Sequence, residues 1–206
     1  MTQYKGYDVL EILPNWISEP RLALSHDFDA LEYLGASITG SQADETSFLL
    51  NARFTGLSRA EIWAIRSFFN TYKGRFGRFW LPSFRQDIKV TSAFAASDYV
   101  ITIEDMEYAS YWLPNDTTGR YIYFCFPDNT FAYNAIVDAP TSTSLELETV
   151  IGAACNASRL KFLNVGFLHF VRFSQDENQG EYSTPEIANF DLNFITIPHE
   201  APGIGV

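Results

Sequence analysis

The fold of this chain is decided by residues 58–90, SRAEIWAIRSFFNTYKGRFGRFWLPSFRQDIKV, which open with the signals of a capped helix. The side chain of Ser58 can accept a hydrogen bond from the Glu61 amide, and the Glu61 carboxylate can reach back to the Ser58 amide. Gly74 is placed to end the helix in a left-handed conformation. We therefore predict one short helix at about residues 59–73, with an apolar stripe that packs on a sheet. The stripe consists of residues at helical spacing, namely Ile62, Ile65, Phe69 and Tyr72, widened by Trp63 and Phe68.

The rest of the chain has the pattern of β structure. Apolar and polar residues alternate before the helix and again in residues 187–197, and short apolar runs separated by turn residues lie between them. The turn Pro127-Asp128-Asn129 lies between two aromatic runs, which predicts a tight hairpin. The predicted fold class is therefore mostly β, built from β-sandwich or small barrel modules, with the helix at about 59–73. The character of the chain changes near residue 88 and again near residue 160.

Composition and charge indicate a protein that makes contacts with other proteins. Charged residues make up 19% of the 206 residues, below the roughly 25% of ordinary soluble domains, and aromatic residues make up 16%. A surface with few charges and many aromatics favours partial coverage by partners. The net charge of −11 argues against nucleic acid as a partner, because phosphate binding requires a dominant positive field.

The charges are unevenly distributed along the chain. Residues 53–89 contain eight basic and two acidic residues, whereas residues 98–148 contain nine acidic and one basic residue. Opposite charges on one chain suit head-to-tail contact between copies, which closes into a ring when the rotation allows. The alternative is that both segments form solvated faces of a single copy.

Arginine and aromatic side chains alternate directly after the predicted helix. Protein interfaces favour this combination, and single-stranded nucleic-acid sites also use it. A solvated strand face with extended arginine side chains is a further interpretation. We rank protein contact first, the solvated face second and nucleic acid third. The candidate protein–protein interface consists of Arg75, Arg78, Phe79, Trp80 and Arg85.

No pattern in the sequence indicates catalysis. The nucleophile, phosphate-binding and metalloprotease motifs are missing, and His26, His169 and His199 are too far apart for a ligand spacing. Cys125 and Cys155 have no CxxC spacing, so a disulfide between them is allowed but not implied. We therefore expect no enzyme activity, no catalytic residues, no metal and no cofactor.

No apolar run approaches the length of a membrane span, and the N-terminal residues have no apolar signal core. We therefore expect no membrane partner. We also expect that the chain is made and used in a reducing compartment, or that it reaches the outside by a non-secretory route such as cell lysis.

The segment from Phe69 to Trp80 resembles a motif of tail-tip proteins of long-tailed bacteriophages, the distal tail and minor tail proteins. In that family a helix precedes an element similar to F-x-x-x-K/R-G-R-x-x-x-F-W, which Phe69, Lys73-Gly74-Arg75 and Phe79-Trp80 match. The end of the chain is also similar, with residues 168–173, an acidic loop and a final strand in residues 185–198. The resemblance covers residues 58–198.

The resemblance implies a discontinuous, ring-forming β-sandwich domain from residues 1–87 and 160–206, with a small β module inserted at residues 88–159. Members of the family form rings, commonly hexamers, that join the tail tube to the tip or baseplate. The implied partners are further copies of the chain and the tube, hub and tip proteins of the tail. The implied location is the tail tip of the virion, after synthesis in the cytoplasm of the bacterial host.

A carbohydrate-binding β-sandwich that attaches to a glycan of the host surface is the alternative function. It depends on Tyr108, Tyr111 and Trp112, three aromatic residues in an acidic segment. The competing interpretation is that these residues belong to the core, because the segment is as apolar as the strands around it.

Overall fold

The computed structural model describes residues 2–14, 21–25, 28–33, 36–41, 47–114, 118–177, 180–184 and 187–204. The chain is mostly β, as predicted, and its antiparallel sheets are consistent with a β-sandwich architecture. Its strands are β1 (Gln3–Tyr4), β2 (Tyr7–Asp8), β3 (Arg21–Ser25), β4 (Phe28–Tyr33), β5 (Ala36–Ser41), β6 (Ser47–Leu57), β7 (Phe79–Pro82), β8 (Val100–Thr102), β9 (Tyr121–Cys125), β10 (Phe131–Thr141), β11 (Ser144–Leu147), β12 (Asn164–Phe173), β13 (Gly180–Thr184) and β14 (Ile187–Thr196). The α-helices are α1 (Arg59–Tyr72) and the single turn α2 (Tyr108–Tyr111), and short 3₁₀ turns cover Gly74–Phe76, Thr118–Arg120, Leu160–Phe162 and Pro198–Glu200.

The chain forms two compact units, each assembled from separate segments. Unit 1 contains Met1–Glu11, Phe79–Phe170 and Ala201–Val206, and unit 2 contains Ile12–Arg78 and Val171–Glu200. Strand β12 contributes residues to both units. The sequence predicts a different division, in which residues 88–159 are inserted between residues 1–87 and 160–206. That domain division stays a prediction. The boundaries of the two compact units lie at other residues.

In unit 2, strand β14 is the centre of the sheet. It pairs with β6 along most of its length, and on its other side with β13 and with the last three residues of β12. Strand β3 continues the sheet beyond β6, while β4 and β5 form a separate hairpin. The alternation predicted for residues 187–197 is confirmed, because one face of β14 is buried throughout: Ala188, Phe190, Leu192, Phe194 and Thr196.

Helix α1 confirms the predicted capping box. The Ser58 side chain accepts from the Glu61 amide, and the Glu61 carboxylate accepts from the Ser58 amide at 2.8 Å. The hydrogen bonds from Ser58 also lower the pKa of the Glu61 carboxyl. The left-handed stop begins one residue earlier than predicted, since Lys73 (φ 51°) and Gly74 (φ 61°) both have positive φ.

The buried face of α1 differs from the prediction at one position. Ile62, Ile65 and Phe68 are buried, whereas the side chain of Trp63 is 70% exposed. At about 100° per residue, Trp63 lies roughly 160° from Ile65 around the helix axis, so it cannot share the face that Ile65 buries. The placement of Trp63 in the apolar stripe was therefore wrong.

In unit 1, five strands form an antiparallel sheet in the order β12, β9, β10, β11 and β8, and β7 pairs with β12. The hairpin predicted at residues 127–129 is confirmed, because β9 and β10 pair directly on either side of it. Asn129 has a positive φ in this turn, and the Asp128 carboxylate accepts from the Thr130 amide. The core beneath the sheet is rich in isoleucine and phenylalanine.

Near the end of the chain, Pro202 and Gly203 accept hydrogen bonds from side chains of unit 1. The Lys5 ammonium donates to the carbonyl of Gly203 at 2.9 Å and forms an ion pair with Glu148 at 2.7 Å. The Tyr121 hydroxyl donates to the carbonyl of Pro202.

Candidate protein–protein interface

Arg75 and Arg78 belong to unit 2, whereas Phe79, Trp80 and Arg85 belong to unit 1. Arg75 lies just after α1, where the chain passes close to Asp176. A Cβ atom at Gly74 would lie 2.8 Å from the Asp176 carboxylate, so only glycine allows this approach. The Arg75 guanidinium donates to Asp176 at 2.9 and 3.1 Å, and the Arg75 amide donates at 3.0 Å. These contacts lower the pKa of the Asp176 carboxyl.

Arg78 is also engaged within unit 2. Its Nε atom lies 2.5 Å from the Glu200 carboxylate, which belongs to the turn that follows β14. Between the two arginines the side chain of Phe76 is 84% exposed. The turn after α1 therefore presents an aromatic ring to solvent, while its two arginines are neutralised by carboxylates of the same unit.

Phe79 and Trp80 are both fully buried in unit 1. The Trp80 indole donates from Nε1 to the Tyr4 carbonyl at 2.9 Å. Its ring lies 4.7 Å from the ring of Tyr121 and 4.8 Å from that of Phe170. Because all four residues of β7 are buried, this strand is covered on both faces. In the single chain, these two aromatic residues therefore form core rather than surface.

Arg85 is exposed on a bend that is fixed by Asp87. The Asp87 carboxylate accepts from the Ser83 hydroxyl at 2.5 Å and from the Phe167 amide at 3.0 Å. The Tyr123 hydroxyl donates to the Arg85 carbonyl at 3.0 Å, and burial raises the pKa of this phenol. A partly buried hydrogen-bond network thus holds the backbone at Arg85 and leaves its guanidinium at the surface.

The basic segment 53–89 is partly neutralised within the chain. Among the described residues, at least four of its eight basic residues form ion pairs inside their own unit: Arg53 with Asp191 at 3.6 Å, Arg75 with Asp176 at 2.9 Å, Arg78 with Glu200 at 2.5 Å and Lys89 with Glu104 at 2.9 Å. The segment is therefore less cationic in the folded chain than its sequence suggests.

Unit 2 also carries an exposed aromatic groove that was not predicted from the sequence. It has a volume of about 380 Å³ and lies between α1 and β13. Trp63 is 70% exposed and Tyr182 is 50% exposed, and the Arg66 guanidinium lies 5.9 Å from the centre of the Tyr182 ring. The sequence indicated this groove only through helix geometry: Trp63 lies on the side of α1 opposite the buried Ile65, so it must face solvent.

Two of the three aromatics that suggested carbohydrate binding are packed inside unit 1. Tyr108 is 1% exposed, and its hydroxyl donates to the Gly119 carbonyl at 2.7 Å. Trp112 stacks on Phe167 with ring centres 4.9 Å apart. Tyr111 is 64% exposed, so it alone has the exposure that a sugar-stacking platform needs.

The described residues provide no cluster of three histidine, cysteine, aspartate or glutamate side chains that could hold a metal ion. His169 is buried in β12, His199 is exposed in the last turn, and His26 lies outside the described residues. Cys125 and Cys155 are free thiols, and burial raises the pKa of each.

In the part of the chain that the structure describes, neither α-helix has the length and apolar character needed to cross a bilayer.

The chain was also compared with known proteins. A scan against models of protein families gave no match, and a search of curated proteins found no significant relative.

Proposed function

We propose that this chain is a structural component of a bacteriophage tail tip, a ring-forming distal tail protein that links the tail tube to the tip or baseplate. The observation that carries the proposal is the motif from Phe69 to Trp80. Its glycine and arginine end α1 in a tight turn against Asp176, and its Phe-Trp pair anchors β7 in the core of unit 1. In this chain, the glycine, the arginine and the Phe-Trp pair of the motif therefore each have a defined structural task.

The distribution of exposed aromatic residues supports a role in assembly. Large apolar side chains that stand in solvent are typical of surfaces covered by a partner. Trp63, Phe76 and Tyr182 on unit 2 are each at least half exposed. A subunit that assembles into a ring requires such surfaces, since every copy contacts two neighbours.

The experiment is a measurement of particle mass by light scattering, with negative-stain images of the same chromatographic peak. The proposal predicts a closed ring with a central hole. A protein that stays monomeric over the whole accessible concentration range would contradict ring formation by this chain.

The same preparation tests the carbohydrate-binding alternative on a glycan array. Binding that disappears on Tyr111→Ala, the exposed aromatic of that segment, would favour the alternative. Absence of binding to every glycan would remove it.

A further inference from the structure

The outward face of α1 carries a compact cationic and aromatic surface, which we call the helix patch. It consists of Trp63, Arg66 and Asn70 on the helix and Tyr182 on β13. The three helical residues are spaced i, i+3 and i+7, so they share one face. All four residues are exposed, and they border the groove of about 380 Å³ whose apolar floor includes Phe69 and Phe190. This groove can receive an apolar side chain beside a carboxylate.

The outer face of the unit 1 sheet carries an acidic surface, opposite in charge to the helix patch, which we call the sheet patch. It consists of Val100 on β8, Glu146 on β11 and Asp138 on β10, three residues that lie side by side in the strand register. The neighbouring pair Ile101 and Leu145 is buried on the other face. Val100 is 43% exposed, so the patch combines an apolar side chain with two carboxylates.

The two carboxylates of the sheet patch are directly opposite each other on adjacent strands. Like charges in this position destabilise a sheet, because the side chains are neighbours on one face. The Asp138 carboxylate accepts a hydrogen bond from the backbone amide of Ala139. A guanidinium placed over the pair would relieve the repulsion, and carboxylates bind arginine with two parallel hydrogen bonds.

We propose that the helix patch of one copy binds the sheet patch of a second copy. The proposal rests on the proposed function and identifies the surfaces through which the ring forms. In the contact, Arg66 lies against Glu146 and Asp138, and Val100 enters the groove beside Trp63. The occupant is a second copy because the same chain presents both the cationic and the anionic surface. The two patches differ, so the contact is head-to-tail and closes into a ring when the rotation allows.

Two features make Arg66 a better candidate for a contact between copies than Arg75 and Arg78, which were predicted from the sequence. Arg75 and Arg78 already bind Asp176 and Glu200 in their own unit, whereas Arg66 lies over the ring of Tyr182. Tryptophan and arginine also dominate the binding energy of protein interfaces when they lie at the centre of a contact. Trp63 and Arg66 are neighbours on one helix face, so they can act together.

The test is a charge exchange measured by sedimentation velocity at low salt over a series of concentrations of the full chain. Wild type is expected to show concentration-dependent assembly. Arg66→Glu and Glu146→Arg should each weaken assembly at least tenfold, and the double variant should recover most of it, because the charges again match. Lys161→Glu, a reversal of the same size at an exposed position outside both patches, should assemble as wild type does. Circular dichroism checks that each variant is folded.

Each result decides between the two proposals. Assembly that persists in both single variants overturns the assigned surfaces and leaves the tail-tip proposal standing. Loss in both single variants without recovery in the double variant also overturns the pairing of Arg66 with Glu146. A wild-type chain that never assembles contradicts this inference and the ring-forming function together.

Discussion

Trp80 and Trp63 allow a matched test of which tryptophan belongs to the core. Trp80 is fully buried among the rings of Tyr4, Tyr121 and Phe170, whereas Trp63 is 70% exposed. Truncation of a buried tryptophan to alanine costs about 3–5 kcal/mol, from lost transfer free energy and the cavity left behind. We therefore expect Trp80→Ala to lower the free energy of unfolding of the full chain by about 3–5 kcal/mol. Trp63→Ala should change it by no more than about 0.5 kcal/mol, as exposed substitutions usually do.

The assay is urea unfolding at neutral pH, followed by far-ultraviolet circular dichroism. Trp80→Phe serves as a second variant in case the alanine variant does not fold. It keeps a ring in the cluster but leaves the Tyr4 carbonyl without its indole donor, which costs about 1–3 kcal/mol. Equal effects of Trp80→Ala and Trp63→Ala on unfolding would refute the assignment of Trp80 to the core. In sedimentation, Trp63→Ala should weaken assembly although its stability is unchanged.

Three further predictions concern local features. Gly166→Ala should lower the free energy of unfolding by about 1–3 kcal/mol in urea titrations, because its Cβ would lie 2.3 Å from a backbone oxygen. Gly203→Ala, with no atom within 4 Å of the added Cβ, should have no effect and is the control. Ser58→Ala removes the helix cap and should cost about 0.5–2 kcal/mol in thermal unfolding monitored by calorimetry. The pKa of the Asp176 carboxyl is lowered in the folded chain, so its stabilising contribution is present above the unfolded pKa of about 3.9 and disappears as pH falls through the folded value. An NMR titration of Asp176 should therefore show a midpoint below the ordinary value, and Arg75→Gln should raise that midpoint; an unchanged midpoint in the variant would contradict the ion pair.

Local sequence signals predicted the regular elements well. The capping box of α1, the hairpin at residues 127–129 and the alternation along β14 each depend on residues within a few positions of one another. Period, cap and turn chemistry are local properties, so a single sequence contains them. The stop of α1 differed by one residue because Lys73 already adopts the left-handed conformation before Gly74.

The surface chemistry of the candidate interface was less predictable. Arg75 and Arg78 are neutralised by Asp176 and Glu200, which lie far away in sequence and come close only through the fold. Phe79 and Trp80 point to opposite faces of β7, and their burial depends on the segments that cover both faces of that strand. The continuous apolar run Phe79-Trp80-Leu81-Pro82 was the sequence signal available for a strand covered on both faces. Trp63 shows the reverse case, in which an apolar residue at near-helical spacing lies on the solvent side.

The pairing of β6 with β14 also has a consequence for how the chain folds. Asn51 and Asn193 share a hydrogen bond although they are 142 positions apart, and the Phe48 amide donates to Thr196 across 148 positions. Contacts of such long sequence separation slow folding, because a large loop must close before they form. During synthesis β6 therefore leaves the ribosome with the edge that pairs with β14 open until β14 follows. We expect refolding to be slow, and truncation before Ile187 to leave β6 paired only with β3, with an open edge that is prone to aggregate.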